Sequence, residues 1–74
     1  MNNGIPLPPT EGEPVELPDP VKVRDLAAAL GQKPFYIIHE LMELNQFSTL
    51  NSDIDFVTAS KIARKHGFSP RAAH

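Results

Sequence analysis

The 74-residue sequence predicts an α+β fold that is mostly helical. Three short helices share a core with a small antiparallel sheet of two or three very short strands, in the order β-α-α-β-α, behind a disordered N-terminal leader. Three observations predict it. Prolines crowd the first 20 residues and forbid continuous helix there. Beyond Val21, three segments repeat apolar residues at helical spacing, each closed by Gly or Asn. Short β-prone stretches precede the first helix and separate the second from the third.

The leader, residues 1–20, carries Pro6, Pro8, Pro9, Pro14, Pro18 and Pro20, together with Glu11, Glu13, Glu16 and Asp19 and no base. Its few apolar residues, Ile5, Leu7, Val15 and Leu17, are interrupted by prolines and acids, too sparsely to offset the entropy of ordering a backbone. A solvated tail is expected, with a polyproline-type ligand around Pro6 to Pro9 as the functional alternative. Residues 21–68 form the folded unit and residues 69–74 a flexible tail. Residues 21–74 hold all 7 Lys and Arg against five acids, so this part is mildly basic although the whole chain has net charge -2.

Within the folded unit, Val21-Lys22-Val23 alternates as a short edge strand would. The first helix, Arg24 to Leu30, sets Leu26, Ala27 and Leu30 on one face and Asp25 in the first turn, with Gly31 as a left-handed stop. Pro34 suits the first position of the second helix, which runs to about Leu44 with Ile37, Ile38, Leu41, Met42 and Leu44 apolar. Asn45 is able to take the left-handed conformation that ends it. Phe47 to Asn51 reads as a second short strand, closed by the turn-forming Asn51-Ser52-Asp53. Asp55 caps a third helix from Phe56 to about His66, with Phe56, Ala59, Ile62 and Ala63 facing inward and Gly67 closing it. The expected core is Leu26, Leu30, Ile38, Leu41, Met42, Leu50, Ile54, Phe56, Ile62 and Phe68.

Composition narrows the chemistry. A chain this small with 41% hydrophobic residues buries a modest core, and zero cysteines exclude disulfides, thiolate metal sites and thiol catalysis. The longest apolar stretches, such as Leu26 to Leu30, fall far short of the roughly 20 residues needed to span a bilayer, and no signal peptide opens the chain. A soluble cytoplasmic protein with no membrane partner is the expectation. His39-Glu40-Leu41-Met42-Glu43 resembles half of a zinc-protease helix, but it lacks the second histidine and a third ligand, so a polar surface is the better reading. His66 suits a helix C-terminus through the dipole alone, and the terminal His74 is expected to be mobile. The serines at 48, 52, 60 and 69 have no His/Asp pattern around them, and no phosphate-binding loop of the GxxxxGK[ST] type is present. No catalytic residue, cofactor or metal is assigned. What survives is a basic cluster: Lys61, Arg64, Lys65 and His66 on the third helix and its end, and Arg71 beyond it. Such a cluster suits phosphate, although a solvated basic face is common.

Taken in order, VKVRDLAAALG, KPFYIIHELMELN and FSTLNSDIDFVTASKIARKHG resemble the N-terminal domain of bacterial translation initiation factor two, from about Val21 to Gly67. The carrying positions are Val23, Leu26-Ala27, Leu30-Gly31, Leu41-Met42, Thr49-Leu50-Asn51, Ile54-Asp55 and Ala63. Asn45 stands where the family usually has glycine. The factor's GTPase body has no counterpart here, so the resemblance implies no GTP hydrolysis by these residues, and it fits equally a piece of a longer factor or a protein made of this domain alone. Together with the basic third helix it implies a non-enzymatic, monomeric translation module touching the small ribosomal subunit or RNA through Lys61, Arg64, Lys65 and Arg71. One alternative is a helix-turn-helix DNA binder on Ala27, Gly31 and Ile37, weakened by Glu40 and Glu43 on its recognition helix. Another is a protein-interaction or spacer module using Phe35 and Tyr36.

Overall fold

The computed structural model describes residues 12–73, which form three helices and four short strands. The α+β class and the three helices are as the sequence predicts. The C-terminal ends of the helices are closed by local chemistry, whereas the first and third helices each take a long-range partner at the N-terminus.

Helix α1 (Val23–Leu30) emerges directly from strand β2 (Val21–Lys22). Its N-cap residue Lys22 offers no capping side chain. The first N–H groups of a helix have no partner inside it, and here they are met from the 47–52 loop: Val23 donates to the Ser52 carbonyl at 3.0 Å and Arg24 to that of Leu50 at 3.2 Å. That loop is folded on itself by Thr49 N–H donating to Ser52 Oγ at 2.9 Å and Ser52 N–H donating to the Thr49 carbonyl at 3.1 Å. The strand expected at Phe47 to Asn51 is therefore corrected: no ladder forms there, the Leu50 carbonyl caps a helix instead, and Phe47 is 82% exposed. The second strand of this sheet is β3 (Asp53–Ile54), antiparallel to β2 with Val21 opposite Ile54 and Lys22 opposite Asp53.

At the other end of α1, Gly31 takes φ 67°, and Gly31 and Gln32 donate back to the carbonyls of Ala28 and Ala27. Helix α2 (Pro34–Glu43) ends the same way, with Asn45 at φ 63° and Asn45 and Gln46 donating to Met42 and Leu41. This paired closure needs a left-handed residue, which Gly adopts freely and Asn tolerates. Helix α3 (Phe56–Lys65) begins with two carboxylates. Asp55 accepts from Thr58 N–H at 2.8 Å, as expected, and Asp19 accepts from Phe56 N–H at 3.1 Å.

Asp19 belongs to the segment expected to be disordered, and a larger correction lies beside it. Strand β1 (Glu13–Leu17) pairs in parallel with β4 (Phe68–Ala72), from Glu13 opposite Phe68 to Leu17 opposite Ala72. Ala73 N–H extends the ladder to the Leu17 carbonyl at 2.8 Å. So the described residues form two two-stranded sheets, one antiparallel and one parallel, and neither 13–17 nor 68–72 is a loose end. The physical reason is the period-two pair Val15 and Leu17: Leu17 is 1% exposed and Val15 packs on the core. Pro14 and Pro70 do not prevent pairing because each strand of a two-stranded sheet has a free edge, where a missing N–H costs nothing. Residues 1–11, with the Pro6 to Pro9 stretch, and His74 lie outside the described residues.

The core joins Leu17, Val21 and Val23 from the strand side to Leu26, Ala27 and Leu30 of α1. Ile37 and Leu41 of α2, then Ile54, Ala59, Ile62 and Ala63, complete it. Ile38, Phe56 and Phe68 are partly buried against it. Two expected members, Met42 and Leu50, are 44% and 48% exposed. Met42 lies two turns from the exposed Phe35 on the outer side of α2, while the buried stripe runs through Ile37 and Leu41. Leu50 sits in the capping loop.

Candidate nucleic-acid interface

With Ala59, Ile62 and Ala63 turned into the core, the helical repeat leaves Lys61, Arg64 and Lys65 exposed on α3. Arg64 and Lys65 fall in its last turn, where the helix dipole favours cations. The four candidate residues do not share one environment. Lys65 Nζ lies 3.3 Å from Glu43 Oε1 of α2, a half-exposed pair worth about 0–1 kcal/mol. Arg71 is on β4, opposite Glu16 in the parallel ladder. Lys61 and Arg64 have no ion-pair partner among the described residues, so their charge is open to solvent.

His66, which caps α3, is tied down rather than free. Its Nε2 meets both carboxylate oxygens of Glu40, at 2.8 and 3.0 Å, in a largely buried pair. Glu40 and Glu43 of α2 thus serve as anchors for the end of α3. His39 Nδ1 lies 4.0 Å from Glu43 Oε2 in an exposed i,i+4 pair. Among the described residues no three His, Cys, Asp or Glu side chains gather as a metal site would require.

At the other end of the helix, the Asp55 carboxyl is held below the ordinary carboxylate range. The Thr58 backbone N–H is the main cause and the Thr58 hydroxyl the next; burial opposes them slightly and the Lys61 charge assists.

Along the flank of α3, Phe56, Val57, Ser60, Lys61 and Arg64 line a cleft of about 190 Å³. Ser60 is 3% exposed, and its Oγ has no hydrogen-bond partner, a condition that costs roughly 1–3 kcal/mol for a buried hydroxyl. Sequence reasoning assigned Phe56 to the core and passed over Ser60 for want of a catalytic pattern. The available signal was spacing: Ser60 sits one helical turn after Phe56 and one before Arg64, which puts an apolar residue, a hydroxyl and a cation on one strip.

The chain matches the family described as translation initiation factor IF-2, N-terminal region, over residues 18–69. It belongs to the IF-2 N-terminal family. The relatives include translation initiation factor IF-2 of Pelotomaculum thermopropionicum, 33% identical over 85% of this chain and 6% of that protein. The factor of Desulforamulus reducens is 34% identical over 84% of the chain and 6% of its own length. That of Caldanaerobacter subterraneus subsp. tengcongensis is 39% identical over 73% of the chain and 8% of its own length. The chain therefore spans less than a tenth of the curated relatives it matches. The IF-2 match begins just before the Asp19 cap and takes in all three helices, so the cleft lies wholly inside it, while β1 lies outside. Among the described residues no helix is long and apolar enough to cross a membrane.

Proposed function

We propose that this IF-2 N-terminal module is a non-enzymatic, cytoplasmic contact domain that binds the small ribosomal subunit through RNA, using the outer face of α3. The observation that carries the reading is that Lys61 and Arg64, one turn apart, stay unpaired among the described residues while the neighbouring Lys65 and His66 are bound to α2. Unpaired, solvent-facing cations attract phosphate and release counterions when they bind it. Lys65 and Arg71 add to the field at the rim. The module acts as a monomer.

The test is co-sedimentation of the 74-residue chain with small ribosomal subunits across a salt series. Association that weakens with rising salt, and that falls several-fold when Lys61 and Arg64 are both changed to Gln, supports the proposal. Absence of association at low salt overturns it. Sequence-selective duplex DNA binding would instead favour a helix-turn-helix reading, against which α2 commits Glu40 and Glu43 to α3 and offers no Arg, Asn or Gln on its outer face. A protein-binding reading has one observation in its favour: Phe35 and Tyr36 are exposed, with ring centroids 4.7 Å apart. It would gain from binding that survives the loss of both cations.

A further inference from the structure

We infer that the α3 cleft is a single-nucleotide subsite for unpaired RNA: Lys61 and Arg64 hold a phosphate, Phe56 and Val57 receive the base or ribose face, and Ser60 supplies a polar contact. The inference rests on the RNA-contact reading above and narrows it from a helix face to five side chains.

Three features converge. The cleft, at about 190 Å³, is smaller than the roughly 300–1,000 Å³ of ordinary small-molecule sites, so it suits one group of a polymer better than a whole cofactor. Its walls combine apolar side chains with two cations that have no ion-pair partner among the described residues. That combination serves a nucleotide, whose base has an apolar face and whose phosphate carries the charge. A duplex stacks its bases away from such a wall, whereas single strands and loops splay theirs out. The third feature is the Ser60 hydroxyl, buried on the cleft wall with no partner. Buried polar groups in folded proteins are nearly always satisfied, and a buried hydroxyl in a helix is able to turn back to the carbonyl four residues earlier. Ser60 Oγ does not make that bond, so an unsatisfied hydroxyl lies in the wall of the cleft. The helix N-terminus takes no part, since Asp55 and Asp19 already occupy its N–H groups.

The experiment measures affinity of the 74-residue chain for short single-stranded oligoribonucleotides and for an RNA duplex of the same length, at low salt, with far-ultraviolet circular dichroism confirming each variant's fold. The expected result is preference for the single strand. Arg64→Gln and Phe56→Leu each weaken it by about tenfold or more, and Ser60→Ala by about two- to tenfold. Arg24→Gln, the same charge change on α1 outside the cleft, has less than about a twofold effect. Equal effects of Arg64→Gln and Arg24→Gln, with Phe56→Leu and Ser60→Ala silent, would overturn the subsite while leaving RNA contact by a diffuse field intact. Absence of RNA binding by the unaltered chain would overturn both. Amide shifts confined to the cleft on adding ribosomal proteins, and none on adding RNA, would reassign it to a protein partner.

Discussion

Asp55 shows how much one side chain decides. It directly follows β3, starts α3 by accepting from Thr58 N–H, and its carboxyl is held below the ordinary range mainly by that bond. A depressed folded-state value contributes stability that is fully present above the unfolded carboxylate value, near 3.9, and is lost as pH falls through the lower folded value. Asp55→Asn keeps a capping oxygen but removes the titration. Urea midpoints measured from neutral pH downward are expected to fall less steeply in the acid range for Asp55→Asn than for the unaltered chain. Identical acid slopes would show that the cap does not titrate with folding. At this scale the sequence is highly legible: Asp55, Gly31, Asn45 and Pro34 were all assigned their places from residue type, because a cap is decided by a residue and its nearest neighbours along the chain.

Legibility falls between elements. Helical spacing identified Ala59, Ile62 and Ala63 as inward, yet Met42 was expected in the core and lies outside it. A helix packed on one narrow stripe leaves apolar residues on its far side that periodicity alone does not separate. The HExxE string carried the opposite error. Its glutamates read as solvated surface, whereas Glu40 and Glu43 reach across to His66 and Lys65. These two links differ in burial, and so in expected strength. A double-mutant cycle on Glu40→Ala and His66→Ala, read by chemical denaturation, should give a coupling of about 1.5–3 kcal/mol, since the pair is largely buried and charge-assisted. The Glu43–Lys65 cycle should give about 0–1 kcal/mol. Equal couplings would contradict the burial difference.

Across the whole molecule, the least legible feature is the one that joins its ends. β1 and β4 come from opposite ends of the described chain, with all three helices between them in sequence, so no local pattern announces the pairing. The prolines that suggested a structureless leader are real breakers, but the Val15 and Leu17 alternation beneath them was enough to seat one short strand. Asp19, capping α3 from that same segment, is a second long-range link. Leu17→Ala is therefore expected to lower stability by about 2–5 kcal/mol, the range for emptying a filled core site. Leu50→Ala, in the exposed loop, should stay within about 0.5 kcal/mol of the unaltered chain. Calorimetry on the two variants distinguishes an ordered strand from a loose leader, for which Leu17→Ala would be silent.

The candidate interface combines these scales: caps fix the start of α3, the Glu40–His66 pair fixes its end, and Lys61 and Arg64 are left facing outward between them. The most direct test of a ribosome-contacting α3 is an amide-shift titration of the isotopically labelled chain with small ribosomal subunits, at low salt and again at high salt. The expected result is shifts or broadening concentrated between Phe56 and Lys65 that reverse as salt rises. Changes confined to α2 around Phe35 and Tyr36, or none at low salt, would contradict it.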